Sequence, residues 1–201
     1  MTSISNESTI QVPAIVGLVP EPHVFVTDEA SSDSFAREVL LDAAFGAKRF
    51  DKTVERLREG RAPAHRLALV ARDGGELVGT LRLWHIRAGV VPALLLGPLA
   101  VDKAYRSRGI GRRLLGEALL RAHNLGHAAI LLVGDAPYYE PFGFSRRHTL
   151  GLTLPGPVDE RRFLGLELVS GVLADAMGQV VGTGVPVGSS TLASAAFRRA
   201  A

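Results

Sequence analysis

At 201 residues the chain is most simply one domain with tails, and without cysteine it excludes disulfides and thiol catalysis. Its 23 basic and 20 acidic residues leave a net charge of +3, weak ground for nucleic-acid binding without a basic stripe interleaved with aromatics. The longest apolar run, residues 90–96, is broken by Pro92 and is far too short to span a bilayer, and the N-terminus lacks a basic segment followed by an apolar core, so a cytoplasmic protein without membrane contact is expected.

In chain order, residues 1–21 are rich in Ser and Thr and then apolar, interrupted by Pro13 and Pro20, and are expected to form an extension with little regular structure. A short strand is expected over 24–27. Ser34 is a candidate N-cap for a helix in which Phe35, Val39, Leu40, Ala43 and Ala44 fall at helical spacing, ending at Gly46. A second short helix is expected over 51–59, stopped by Gly60. Residues 66–72 read as a strand, Asp73-Gly74-Gly75 as a hairpin turn, and 76–87 as a third strand, with Leu77, Gly79, Leu81 and Leu83 alternating against Val78, Thr80, Arg82 and Trp84. A fourth strand covers 93–101. Pro98 cannot donate to a ladder, so Gly97-Pro98 predicts a bulge where the strand parts from a neighbour.

Next comes a helix from Ile110 to about Leu125, with Ile110, Leu114, Ala118, Ala122 and Leu125 at core spacing, Leu115 and Leu119 widening the stripe, and Gly126 as a stop. Strands are expected over 128–134, from Gly143-Phe144, and over 162–169, with a short helical turn at 137–141. Residues 177–201 are Gly, Ala, Ser and Val with little pattern, a tail expected to be loosely held, which leaves 22–176 as the domain. The sum is an α+β fold with a mixed, mostly antiparallel sheet of six or seven strands.

The turn between the fourth strand and the long helix is the most informative stretch. A helix start leaves backbone N–H groups unpaired and partly positive, a natural seat for a phosphate. Arg106, Arg108, Arg112 and Arg113 crowd it, with Ser107, Gly109, Ile110 and Gly111 forming the bend. A dinucleotide motif fails because Leu114 stands at the third glycine, and a Walker motif fails because Gly116 is followed by Glu117 rather than Lys.

The spacing that fits is Arg-x-x-Gly-x-Gly: Arg106, Gly109, Gly111. After a strand reading LGPLAV, it resembles the acyl-CoA-binding motif of the GNAT acyltransferase superfamily. Tyr139, Gly143 and Phe144 match a Tyr-x-x-x-Gly-Phe pattern of the same family, and LGPLAVDKAYRSRGIG, LLVGDAPYYEPFGF and LPGPVDERRFLGLEL together resemble its bacterial YhbS-like subgroup. The resemblance implies helices on both faces of the sheet, a V-shaped splay between strands four and five, and acetyl-CoA as acyl donor without a metal. It further implies that the amides of 106–113 wrap the pyrophosphate and that the pantetheine arm pairs with Leu99, Ala100 and Val101. A backbone N–H near Leu99 or Val101 would polarise the acetyl carbonyl, and Tyr139 would meet the leaving sulfur.

The reaction so implied is direct attack by an amine in a ternary complex, and the absence of cysteine disfavours an acyl-enzyme. Family members often place a carboxylate on the fourth strand as base, but Leu94, Leu95 and Leu96 stand here, leaving His85, Glu76 and Asp135 as distant alternatives. The asparagine that many relatives carry after the fifth strand is also missing. Tyr138 reads as packing, and Trp84 and Arg82 as either acceptor-pocket lining or core and surface. His123 and His127 stand four apart, but Gly126 separates them and no third ligand is near. The alternative function is a non-catalytic acetyl-CoA-binding sensor. The acceptor amine is not legible, and a homodimer stays open.

Overall fold

The computed structural model describes residues 24–188. The expected extension over 1–21 lies outside them, as does the end of the expected tail. Strand β1 (Phe25–Asp28) leads through a 3-10 turn into α1 (Ser34–Phe45), two further 3-10 turns (Ala47–Asp51, Thr53–Leu57), β2 (Ala68–Asp73), β3 (Glu76–Ala88) and β4 (Val91–Val101). Then come α2 (Ile110–Asn124), β5 (Ala129–Val133), the one-turn α3 (Ala136–Tyr139), β6 (Leu152–Thr153), β7 (Phe163–Glu167) and β8 (Gly178–Gly182). The main sheet runs β1-β2-β3-β4-β5-β7; its one parallel pair is β4 with β5, joined by α2 as crossover.

Several elements differ from expectation for local reasons. The cap of α1 is Asp33, not Ser34: its carboxylate accepts from the Ala30 N–H at 2.8 Å and pairs with Arg72, so the chain turns one residue earlier. The second helix expected over 51–59 is two 3-10 turns instead. No strand starts at Gly143-Phe144; Ser145 makes only an isolated bridge to Gly165, and the next strand is the two-residue β6. After Met177, where no element was expected, β8 pairs with residues 86–88 of β3 and with β6. Here β3 has 13 residues and β2 only six. The end of β3 would otherwise be a bare edge, and β8 covers it.

Both sheet faces are covered. On one, Ile110, Leu114, Leu115, Ala118 and Ala122 of α2 pack on Leu69, Leu81, Leu83, Leu94 and Leu96. Gly79 lets α2 approach, since a Cβ there would stand 3.0 Å from Leu114 Cδ1. Leu125, expected in this stripe, is the C-cap and is 41% exposed. Arg121 fastens α2 to β1 by pairing with Asp28, and to its own Glu117 at 2.6 Å. On the other face α1 sets Leu40 and Leu41 against Ala100, and Trp84, Leu95, Leu131 and Phe163 form a second cluster.

α1 is also held by charge. The Glu29 side chain, only 6% exposed, accepts from Arg37 of α1 and from Arg82 of β3, the latter through Nε at 2.7 Å. Arg37 and Arg49 both reach Glu38, and Arg49 Nε bonds Asp42 at 2.8 Å. Glu29 and Arg37 are the buried part of this network, while Glu38 and Asp42 are exposed; removing one partner of the buried pair costs more than the pair adds, because it strands the charge left behind.

Candidate active site

Sheet geometry opens the site. β4 and β5 pair only at Leu94–Ile130 and Leu95–Leu131. They part from Leu96 on, slightly before Pro98. Against β3, Leu99 faces Leu81 and Leu96 faces Leu83, so β4 carries one extra residue at the cis Gly97-Pro98 step. The Trp84 indole holds this bulge by donating to the Gly97 carbonyl at 2.7 Å. Trp84 is thus both core and site wall.

Strand alternation decides what β4 offers beyond the bulge. The Asp102 N–H donates to Val78 O of β3 at 2.9 Å, and Ala100 pairs with Thr80. The polar groups of Leu99 and Val101 then point the other way, into the gap where β5 has left. The Val101 carbonyl accordingly accepts from Arg106 Nε at 3.4 Å. Ala100 does not belong with its neighbours: its backbone faces β3 and its methyl is buried against Leu40 and Leu41.

The gap continues into a cavity of about 930 Å³. At one end lies the turn before α2. The Arg113 N–H donates to Gly109 O at 3.0 Å, the first bond of the helix. Among the described residues, nothing accepts from the N–H groups of Ser107, Arg108, Gly109, Ile110, Gly111 or Arg112. Ser107 and Gly109 both have positive φ, 64° and 75°, which curls this run of amides into a concave nest. No atom lies within 4 Å of where a Gly109 Cβ would stand, so the space over the nest is open.

The arginines divide. Arg106 and Arg112 line the cavity, and among the described residues neither has a carboxylate partner. Arg108 instead lies over the Tyr105 ring at 4.9 Å, and Arg113 is exposed and outside the cavity lining. A residue not expected to matter here is Tyr138: its hydroxyl would be 2.5 Å from a Cβ on Gly111, so it sits over the helix start, and burial raises its pKa.

Tyr139 also lines the cavity, packed edge-on against Tyr138 and Phe144. Gly134 makes room for it, because a Cβ there would fall 2.3 Å from Tyr139 Cε2. Burial first, and then the neighbouring Tyr138, push its hydroxyl up to about 12. Handing a proton from there to a thiolate of pKa ~8.5 costs about 5 kcal/mol, so the Tyr139 hydroxyl keeps its proton and is available as a hydrogen-bond donor.

The other end is walled by Phe45, Phe50, Val54 and Trp84 with Glu38, Arg49, Lys52, Glu55, Arg58, Arg82 and Arg162. Burial works against the charge of Glu38, but the hydrogen bonds from Arg37 and Arg49 outweigh it and hold its carboxyl below the usual range. Glu55 pairs with Arg58 at 2.6 Å. Asp135 is the lining carboxylate with no arginine partner among the described residues. Of the other distant alternatives, Glu76 is the exposed first residue of β3, outside the cavity lining, and His85 faces His127 at 5.4 Å in a separate cavity of about 440 Å³. Among the described residues no group of three or more His, Cys, Asp or Glu is placed to hold a metal, and no helix is long and apolar enough to cross a membrane.

Arg162, Lys52, Arg58 and Tyr138 gave no sequence signal of their own. They enter the site only because the turn before β7, the 46–58 segment and α3 converge on the mouth of the splay.

Comparison with known proteins agrees with this geometry. Residues 64–146 match the acetyltransferase (GNAT) domain model. The chain is 32% identical over 133 residues to the uncharacterized N-acetyltransferase YhbS of Escherichia coli (strain K12), spanning 64% of this chain and 78% of that protein. The crystal structure of Escherichia coli YhbS in complex with CoA has a TM-score of 0.70 at 28% identity, covering 82% of this chain and 92% of that one. A GNAT family acetyltransferase from Brucella melitensis in complex with acetyl-CoA shares the fold, with a TM-score of 0.61 at 24% identity over 81% of this chain and 97% of its own. The parted strands, the arginine-flanked turn and these matches lead to one conclusion: the chain belongs to the GNAT acetyltransferase family.

Proposed function

We propose that this protein is an acetyl-CoA-dependent N-acetyltransferase that works in a ternary complex in a cytoplasmic setting. The observation that carries the reading is the run of unclaimed N–H groups over 107–112, opening into the same cavity as the parted strands. The nest is concave, positively biased and flanked by Arg106 and Arg112, which suits a diphosphate. A Cβ at Gly109 would occupy the space such a group needs. The complexes of YhbS with CoA and of the Brucella protein with acetyl-CoA support the choice of ligand.

In the overall reaction the amine nitrogen bonds to the acetyl carbon, the carbon–sulfur bond breaks, and the proton lost by nitrogen balances the one gained by sulfur. The chain's residues act at three points. The N–H groups of Leu99 and Val101 face the gap and can hold the acyl carbonyl and the donor's amide-bearing arm. The Tyr139 hydroxyl, which keeps its proton, donates to the departing sulfur. Asp135, free of arginine, is the carboxylate left to accept the amine's proton, directly or through water. An amine of pKa ~10.4 is about 0.04% neutral at pH 7, a handicap of roughly 4.6 kcal/mol, so such a base matters.

The test combines melting and thiol release. Acetyl-CoA should raise the melting temperature, and an amine panel should then release free thiol. No shift with either acetyl-CoA or CoA contradicts the reading. A shift without thiol release from any amine contradicts the catalytic part and returns the non-catalytic sensor alternative.

A further inference from the structure

Two positive charges in the cavity are left over by the chemistry so far. On the acceptor wall Arg49 is paired with Glu38 and Asp42, Arg58 with Glu55, and Arg82 with Glu29. Lys52 and Arg162 line the same cavity, and among the described residues no carboxylate lies within ion-pair distance of either. Arg162 spends one N–H on the Gly134 carbonyl at 3.4 Å, which leaves most of its guanidinium unused. The Lys52 ammonium rests over the Phe45 ring at 4.5 Å.

The two cations line one cavity and repel each other. Burial, followed by the positive charges of Arg58 and Arg162, lowers the pKa of Lys52, with only Glu55 opposing. Bringing like charges together without a counter-ion costs stability, and a bound anion offsets that cost. The phosphate nest has unpaired cations of its own in Arg106 and Arg112, so a diphosphate there leaves Lys52 and Arg162 without an ion-pair partner, Glu55 and Asp159 acting on them only from beyond contact. Arg162 also acts close enough to Tyr139 to work against its raised pKa, which puts the spare positive charge beside the group assigned to the sulfur. Phe45 and Trp84 add apolar surface next to it.

We propose that the acceptor is a primary amine that also carries an anionic group, a carboxylate or a phosphate, which Lys52 and Arg162 bind. This rests on the acetyltransferase reading above. It makes the acceptor an amino acid or an amino phosphate rather than a polyamine or an aminoglycoside, whose extra positive charges would meet Lys52 and Arg162 unfavourably.

The experiment uses matched pairs on the full chain: L-phenylalanine with phenethylamine, and O-phosphoethanolamine with ethanolamine. Thiol release from acetyl-CoA gives kcat/KM, and melting of the coenzyme A-loaded protein gives binding without turnover. In at least one pair the anionic member should be favoured by about tenfold or more, the effect of one charge-assisted hydrogen bond. Lys52→Met and Arg162→Met should each shrink that ratio, while Lys52→Arg, which keeps the charge, should retain it.

Equal or better use of the member that lacks the anionic group in both pairs, by both readouts, overturns the proposal. So do variants that slow both members of a pair alike, since the cations would then serve the departing sulfur. Acetyl-CoA that shifts melting and is consumed with amines, but without anionic preference, overturns the acceptor assignment alone. A protein that neither melts higher with acetyl-CoA nor releases thiol removes the acetyltransferase reading and this proposal with it.

Discussion

The two ends of the cavity are made by opposite means. The proposed phosphate end is backbone: consecutive N–H groups over 107–112, shaped by positive φ at Ser107 and Gly109 and rooted on a helix whose inner face is buried. The proposed acceptor end is side chains from separate segments, α1, the 3-10 turns, β3 and the turn before β7, kept in place by ion pairs through the buried Glu29 and the more exposed Glu38. A backbone site tolerates side-chain change except where a Cβ intrudes. A side-chain site depends on every partner in its network, and its specificity can be altered without moving the fold.

That contrast sets the size and kind of damage expected. Gly109→Glu strikes the nest itself, adding a Cβ where φ is 75° and a negative charge where the diphosphate is proposed to sit. It should weaken coenzyme A binding by about a thousandfold or more, read by calorimetry, with the fold retained. Near-normal affinity would break the comparison at its backbone end. Glu29→Gln should act differently: removing the charge shared by Arg37 and Arg82 should cost about 3 kcal/mol in denaturant unfolding. A loss below about 1 kcal/mol would mean that α1 is held by its apolar face alone.

Between the two ends, Tyr139→Phe should leave coenzyme A binding intact and lower kcat by about tenfold to a hundredfold, because one hydrogen-bond donor to developing charge is lost. An unchanged kcat would take Tyr139 out of the mechanism. Gly134→Ala should imitate it in part, through the displaced ring. The smallest effect expected is a null one in pH. With its pKa raised from ~10 to about 12, Tyr139 favours the fold in its neutral form. That stability is fully present below pH ~10 and is lost as pH rises through about 12. The rate should therefore climb with amine deprotonation and show no tyrosine-linked fall below pH ~11. A fall near pH 9–10 that Tyr139→Phe abolishes would contradict the assignment.

The same contrast explains what was legible in the sequence. Arg106, Gly109, Gly111 and the stripe from Ile110 to Ala122 lie in one continuous stretch, and helix starts advertise themselves by local spacing, so the nest could be read directly. Pro98 announced the bulge for a similar reason, although strand pairing ends slightly sooner, after Leu95. Lys52, Arg58, Arg162 and Tyr138 could not be read, since their meeting depends on tertiary contacts between distant segments. Ala100 was misplaced because a strand assigns alternate residues to opposite sides, and the resemblance named the strand rather than its phase. β8 was missed because Gly178–Gly182 has no alternation of its own; it forms because the overlong β3 presents an edge.

The central claim concerns backbone nitrogens, and backbone nitrogens can be observed one by one. Titrating coenzyme A into the isotope-labelled protein and following amide resonances should move those of residues 107–112 together with Leu99 and Val101, while Ala100, whose N–H faces β3, moves least on β4. Saturation with coenzyme A that leaves the 107–112 amides in place, with the shifts gathered elsewhere, would contradict the account.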